Sequence, residues 1–471
     1  MDIDKIFEAI IEWLPRLRWY PWSLGEGLKL IDYYFINNTY FLKIRHGNDR
    51  FYLPIAITGY KPLNIPSERY IVFNNKYIVE AEFTKDYLVN LSKSETIKAK
   101  YYITDIPLSR GSINVKPLTL ETSNVLTIHE VLGGYKLVIK SYRKLPRINL
   151  EPLIIDLLAS NQFKYIPSIV ATYSWDTDTI TIVMEYISGE GDGGKPFYDA
   201  FIEYVNGTPR YRIGLASLLG IEIALFHKIL STSKHELFKP EPIFESDIKN
   251  WISRVDSLIK SILKNMDKLV KKYEWIDYWR TLFEELVDKV FEDYIESIQE
   301  YIGLKKMRTH QDLHLSQFIY DPRRGFVFTD FEGEPARSED ERLLKEPCLR
   351  DLATLLRSYQ YLTFTAYAFH TGKNYDLVGK QFLEKGDPFI RWRAIHGKAI
   401  IYSYLGELTN SLQEVLGLNR GNLAKFIKLL TPWYIEKAVY EIFYESMYRP
   451  YMLPIPIIGL KYYATEIRSL I

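Results

Sequence analysis

At Gly189-Glu190-Gly191-Asp192-Gly193-Gly194 the hydrophobic rhythm of this chain changes from that of strands to that of helices. Before the cluster, short β-rich runs alternate with turn signals: Tyr33 to Arg45, His46-Gly47-Asn48-Asp49, Arg50 to Thr58, and Arg69 to Phe83 around Asn74-Asn75. After it, apolar residues recur at helical spacing over Ile213 to Leu230, Glu245 to Lys272, Trp275 to Tyr301, Asp351 to Phe369, Ile390 to Leu416 and Trp433 to Tyr448. Strands first and helices afterwards imply an α+β chain with a β-rich and a helical part. The glycine cluster follows a strand but lacks a Gly-x-Gly-x-x-Gly pattern or a Lys-Ser/Thr ending, so it reads as a flexible hinge and not as a phosphate cradle.

The 471 residues exceed the roughly 250 to 300 at which a single core stops growing, so two or three packed units are expected. Sixty Lys and Arg against 59 Asp and Glu leave a formal charge of +1, which gives no overall attraction to nucleic acid or an anionic membrane. Neither is expected as a partner. The single cysteine, Cys348, suits a reducing compartment. The first residues lack the basic start and apolar stretch of a leader, and no run of about 18 consecutive apolar residues occurs, so the expected location is cytoplasmic. Composition departs from the ordinary only in its aromatic share of 15%.

Along the chain, an amphipathic helix around Asp4 to Leu17 opens a first unit of antiparallel strands, assigned to residues 1–108. A smaller lobe, 109–188, follows: Asn124 to Glu130, the turn at Gly133-Gly134, Tyr135 to Ser141, a helix over Glu151 to Asn161, then Ile169 to Trp175 and Thr179 to Tyr186. Residues 189–471 form the helical part.

The densest chemistry lies in Arg308-Thr309-His310-Gln311-Asp312-Leu313-His314-Leu315-Ser316-Gln317. A hairpin follows, Phe318 to Tyr320 and Phe326 to Thr329 around Asp321-Pro322-Arg323-Arg324-Gly325, and returns Asp330 beside Asp312 and Gln317. Phosphoryl transfer needs an acceptor for the attacking hydroxyl's proton and hard oxygen ligands for Mg²⁺, and two carboxylates and an amide supply both. The spacing resembles the His-Arg-Asp-x-x-x-x-Asn loop of protein kinases and their relatives, with Gln317 where the asparagine would stand and Asp330-Phe331-Glu332 at the Asp-Phe-Gly position.

Asp330-Phe331-Glu332-Gly333-Glu334-Pro335-Ala336-Arg337, continued through Leu349-Arg350-Asp351-Leu352-Ala353, is similar to the maltokinase family, whose members phosphorylate maltose at its reducing end. Arg18-Trp19, Glu121-Thr122-Ser123-Asn124, and the run from Glu436-Lys437-Ala438-Val439-Tyr440-Glu441 through Tyr444-Glu445 and Arg449-Pro450 to Leu453-Pro454-Ile455-Pro456 resemble the same family. The resemblance implies a bilobal protein-kinase-like fold with an N-terminal β-rich cap, a β-rich nucleotide lobe and a large helical C-lobe.

It further implies ATP and Mg²⁺ as cofactors, Asp312 as the base, and Gln317 and Asp330 as Mg²⁺ ligands. In the nucleotide lobe it points to Ser123 and Asn124, to Lys140 on the phosphates with Glu151 as its partner, and to the backbone of Glu185 to Ile187 on the adenine. Lys437, Tyr440, Glu441 and Tyr444 share one stripe of a helix. By the resemblance that stripe, with His314 and Asp351, holds the sugar. Gln311 and Ser316 replace small residues of the family loop and are expected to reshape the acceptor pocket. The implied reaction forms maltose 1-phosphate and ADP, with a trehalose-converting enzyme as a possible partner. The alternatives are a glucosamine or other monosaccharide kinase, a sugar-binding pseudokinase that regulates an enzyme, and, more remotely, a protein kinase, against which the lack of Ala-Pro-Glu after Asp330 speaks.

Overall fold

A computed structural model describes residues 2–21, 27–63, 65–119 and 123–471. The chain divides into two compact units: Met1–Ser160 with Pro167–Ile187, and Asn161–Ile166 with Ser188–Ile471.

The first unit carries two antiparallel sheets. Strands β1 (Lys29–Ile36), β2 (Thr39–His46), β3 (Asp49–Thr58), β4 (Tyr70–Phe73) and β5 (Lys76–Glu80) lie in the order β1-β2-β3-β5-β4. The run Tyr33 to Arg45 is therefore two strands. Asn37, at φ 57°, turns the chain between them, and Asn74 and Asn75, at φ 49° and 59°, do the same between β4 and β5. Asparagine tolerates this left-handed backbone better than most residues, which makes it a hairpin signal. The second sheet adds β6 (Ile97–Tyr101), β7 (Ser112–Thr119), β8 (Val125–Val131), β9 (Lys136–Ser141), β10 (Ile169–Trp175) and β11 (Asp178–Glu185), in the order β6-β10-β11-β9-β8-β7. Four of these strands were expected. β6, from within 1–108, and β7 complete the two edges.

A continuous core joins the sheets and takes up part of the aromatic share: Trp13, Phe41, Tyr52, Tyr87, Tyr173 and Trp175 are all almost wholly buried in it. Charge is buried too. Arg143 meets Glu82 at 2.6 Å and Glu80 at 2.9 Å, Arg69 meets Glu80 at 2.9 Å, and the Trp19 indole donates to Glu80 at 2.9 Å. Two cations against two anions keep this cluster neutral, the condition under which buried ions are tolerated.

In the second unit, helices Ile213–Thr232, Glu245–Val270, Ile276–Ile298, Leu349–Thr371, Ile390–Gly406, Leu423–Tyr448 and Pro454–Ser469 pack on one another, and the first of them packs on the hairpin Phe318–Asp321/Gly325–Phe328. The stretch Ile390 to Leu416 is interrupted after Gly406 and resumes as Asn410–Leu416. Leu423–Tyr448 begins ten residues earlier than its apolar spacing suggested and runs through Pro432. Ile213–Thr232 has the length and apolarity to cross a membrane, yet half of that window is buried within the chain, including Glu222 and His227.

The glycine cluster is packed and paired. Gly193 N–H donates to Phe318 O at 2.8 Å, Glu190 N–H to Tyr320 O at 2.9 Å, and Tyr320 N–H to Gly191 O at 3.0 Å. A β-carbon on Gly189 would fall 2.4 Å from Ile319 Cγ2, and one on Gly193 would fall 2.7 Å from Leu315 O. Glycine stands here because the backbone approaches the hairpin closely, not because a free hinge was required.

Beneath that hairpin, Phe326 N–H donates to the buried Glu222 carboxyl at 3.1 Å. Burial pushes this carboxyl up to about 9, against the opposing hydrogen bond from Phe326. The folded chain thus keeps a proton that the unfolded chain, with an ordinary value of 4.5, releases. This contribution to stability is complete below pH 4.5 and is lost as the pH rises through about 9. Glu222→Gln keeps the acceptor oxygen and removes the titration. Its melting temperature is expected to exceed that of the parent by a few degrees (about 3 °C) at pH 8 and to match it at pH 4.5, as read by scanning calorimetry.

Candidate active site

The segment expected to carry chemistry is held from below by the helix Leu349–Thr371. His310 N–H donates to Asp351 Oδ2 at 2.8 Å and Gln311 N–H to Asp351 Oδ1 at 3.0 Å, while His227 Nε2 lies 3.1 Å from Oδ2. Arg350 Nη1 donates to Gln311 O at 2.8 Å. Gln311 sits at φ 70°, a left-handed conformation costing on the order of 1 kcal/mol or more for a non-glycine residue. Its side chain donates to Leu344 O at 2.9 Å.

Two expectations change here. Asp351 is fully buried, its carboxylate engaged by backbone N–H groups, and it does not line the cavity described below. Gln311 also points away from that cavity, where Ser316 alone of the two exchanged residues is found.

With the loop fixed, Asp312 faces a cavity of about 580 Å³. The same cavity is lined by His314, Ser316, Lys437, Tyr440 and Tyr444, bringing together five of the residues read from sequence with one exchanged neighbour. Lys437 Nζ donates to Asp312 Oδ1 at 3.2 Å and to Glu334 Oε1 at 2.6 Å, and lies 4.8 Å from the centre of the Tyr440 ring. Burial disfavours the Lys437 charge, but Glu334 and then Asp312 outweigh it and hold the ammonium above its ordinary range. His314 Nε2 is 3.7 Å from Asp312 Oδ2. Burial holds this imidazole below its usual range, against the opposing pull of Asp312.

The sequence reading passed over further lining residues: Asp192, Tyr198, Tyr361, Glu445 and Arg449. Glu445 and Arg449 lay inside the C-terminal run already singled out. Asp192 lay inside the glycine cluster, and its Oδ1 accepts from Gly194 N–H at 3.0 Å and Lys195 N–H at 3.1 Å. Arg357 is paired with Glu441 at 2.5 Å, and Glu445 with Arg449 at 2.7 Å and with the Tyr361 hydroxyl at 3.1 Å. Burial pushes the Glu445 carboxyl up to about 7 against the pull of Arg449. The helix Leu423–Tyr448 is buried on nearly every side, so Lys437 and Glu441 belong to packed ion pairs and not to one solvated polar stripe.

Beside the cavity, the hairpin returns Asp330, at φ 62°, to Gln317. Gln317 Nε2 is 3.5 Å from Asp330 Oδ2 and 3.4 Å from His314 Nε2, and Thr329 N–H donates to Gln317 O at 2.9 Å. A carboxylate and a side-chain carbonyl oxygen are hard donors of the kind Mg²⁺ takes, and Gln317 would present its oxygen once its amide, whose nitrogen here faces Asp330, were turned over. The donor set fits the metal.

In the first unit, Lys140 on β9 and Glu151 on the helix Leu150–Ser160 form an ion pair at 2.6 Å, both buried, and the Tyr142 hydroxyl donates to Glu151 at 2.7 Å. Asn124 Oδ1 accepts from Arg143 N–H at 3.1 Å, and Ser123 is exposed. Glu121 and Thr122 of the same loop lie outside the described residues. Glu185, at the end of β11, accepts from the Ser168 hydroxyl at 2.8 Å, and Ile187 is buried.

No family model matches the chain. Among solved structures it is similar to glucosamine kinase in complex with glucosamine, ADP and inorganic phosphate, at a TM-score of 0.65 and 15% identity over 92% of this chain and 93% of that one. Two further crystal forms of glucosamine kinase give a TM-score of 0.63, at 16% and 17% identity, over 92% of this chain and 91% and 93% of theirs. The likeness is one of fold: α+β, bilobal and protein-kinase-like, with a β-rich part and a large helical part.

Proposed function

We propose that this chain is an ATP-dependent sugar kinase, with maltose as the first candidate acceptor and maltose 1-phosphate and ADP as products. The observation that carries the reading is the Asp312 carboxylate on the wall of an aromatic and polar cavity, with Oδ1 held by Lys437 at 3.2 Å. Cavities of some 300–1,000 Å³ suit small-molecule ligands, and tyrosine faces among charged hydrogen-bonding groups suit a sugar's apolar faces and hydroxyls.

In this reading the acceptor hydroxyl lies against Asp312. Its oxygen attacks the γ-phosphorus, the bond to the β-bridging oxygen breaks, the hydroxyl proton passes to Asp312, and ADP leaves. Gln317 and Asp330 would hold Mg²⁺, which when bound offsets phosphate charge. Lys140, fixed by Glu151, would hold the α- and β-phosphates, and the backbone of Glu185 to Ile187 the adenine. Ser123 and Asn124 belong to the nucleotide loop, and His314, Tyr440 and Tyr444 to the sugar site. A trehalose-converting partner remains part of the maltose reading only.

Glucosamine is the second reading. It is supported by the similarity to glucosamine kinase and by Glu441 and Glu445 on the cavity wall, since carboxylates can pair with an ammonium group. Release of ADP across a panel of maltose, glucose, glucosamine and trehalose tests both, with the phosphorylated carbon read by NMR of the product. Phosphate on the anomeric oxygen of maltose supports the first; turnover of glucosamine alone replaces it by the second. No ADP release with any sugar removes the kinase reading. Tyr444→Phe is expected to raise the sugar KM by about three- to tenfold with a smaller change in kcat, in steady-state kinetics.

A further inference from the structure

The reading of Asp312 as base leaves open what holds its carboxylate in place. Lys437, its cationic neighbour, is closer to Glu334, at 2.6 Å, than to Asp312, at 3.2 Å. Glu334 is wholly buried. Its second oxygen meets Arg337 Nε and Arg350 Nη2, each at 2.6 Å. Burial disfavours the Glu334 charge, but Arg350, Lys437 and Arg337 reverse that and hold the carboxyl far below its usual range. Arg350 is also the residue that holds Gln311 O, one position before Asp312, at 2.8 Å. Glu334 thus joins the backbone of the loop to the ammonium on Asp312.

From this geometry we infer that Glu334 is a positioning residue that sets the Asp312 carboxylate through Lys437; the inference rests on the reading of Asp312 as base. A buried ammonium attracts every carboxylate in reach, and the stronger of two competitors decides where it sits. With Glu334 ionised, Lys437 is kept back and steadies Oδ1 alone. With Glu334 uncharged, the ammonium's field falls on Asp312 and draws its carboxylate out of line with the cavity. A displacement on the order of 1 Å at a reacting group can cost about a hundredfold in rate.

The test compares Glu334→Gln, Glu334→Asp, Lys437→Met and the Glu334→Gln/Lys437→Met double variant in the full chain, by steady-state kinetics with ATP and the best sugar of the panel and by crystal structures. Glu334→Gln is expected to lower kcat by about ten- to hundredfold with both KM values within about twofold, and to turn the Asp312 carboxylate toward Lys437. Glu334→Asp, which restores the charge, is expected to recover at least about a third of the kcat. Because Glu334 acts only through Lys437, the double variant is expected to be no slower than Lys437→Met. Unchanged kcat with an unmoved Asp312 in Glu334→Gln overturns the inference, as do single losses that multiply in the double variant. Where Glu334→Gln does not fold, the charge-balanced double variant decides by the same comparison. Parent protein that releases no ADP with any sugar removes the kinase reading; movement of Asp312 in the Glu334→Gln crystal still decides the positioning.

Discussion

Asp312→Asn is expected to fold and to bind sugar within about threefold of the parent, and to lose about a thousandfold in kcat. General-base catalysis is worth about 10² to 10⁴, and a thousandfold is about 4 kcal/mol of barrier. The asparagine keeps an oxygen at the distance from which Lys437 now donates, 3.2 Å, and Lys437 keeps its shorter bond to Glu334. The fold therefore loses little, whereas the carboxylate that in the proposed reaction takes the hydroxyl proton is gone. Single-turnover kinetics with saturating ATP, alongside calorimetric sugar binding, separate the two effects. Near-parental turnover would remove Asp312 as base.

Asp351→Ala is expected to damage the same site by a different route. It leaves the N–H groups of His310 and Gln311 without the carboxylate they share, and His227 without its anionic neighbour, in a place with no exposure to solvent. Each stranded buried donor costs about 1–3 kcal/mol, so a total loss of about 3 kcal/mol or more is expected, or a fall of about 5–10 °C in melting temperature. Turnover should fall together with stability, because the left-handed backbone at Gln311 then lacks one of the bonds that hold it. Asp351→Asn, which keeps one acceptor oxygen, should recover part of both. A stable Asp351→Ala protein with a raised sugar KM alone would return this residue to the acceptor site.

The position of Cys348 bears on handling the protein in these experiments. Its thiol is buried, lies 3.7 Å from the Tyr404 hydroxyl, and burial pushes it up to about 12. A protonated, enclosed thiol is a poor nucleophile, so alkylating reagents should leave the folded chain unmodified.

Much of the element order was legible because strands and helices impress their own period on apolar residues. The hairpin after Gln317 was readable from Asp321-Pro322-Arg323-Arg324-Gly325, and its consequence, Gln317 beside Asp330, follows from antiparallel pairing alone. The break in Ile390 to Leu416 and the extension of the last long helix through Pro432 were not readable, since apolar spacing continues across both. β6 and β7 were missed because their residues are largely exposed edge positions without clean alternation.

The sequence by itself determined the types of group at the candidate site and the turns that carry them: the carboxylates of Asp312 and Asp330, the amide of Gln317 and the tyrosines of the last long helix; separately, in the first unit, it determined the Lys140 strand with its following helix. Only the tertiary structure decided how those groups are employed. It set Asp351, expected from the resemblance on the sugar, against the backbone of the loop, placed Gln311 away from the cavity, and made Lys437 and Glu334 the frame around Asp312. The reason is physical. Local pattern fixes backbone geometry, but the partner of a buried charge is set by whichever opposite charges folding brings within a few ångströms, and those here lie roughly 100 positions apart in the chain.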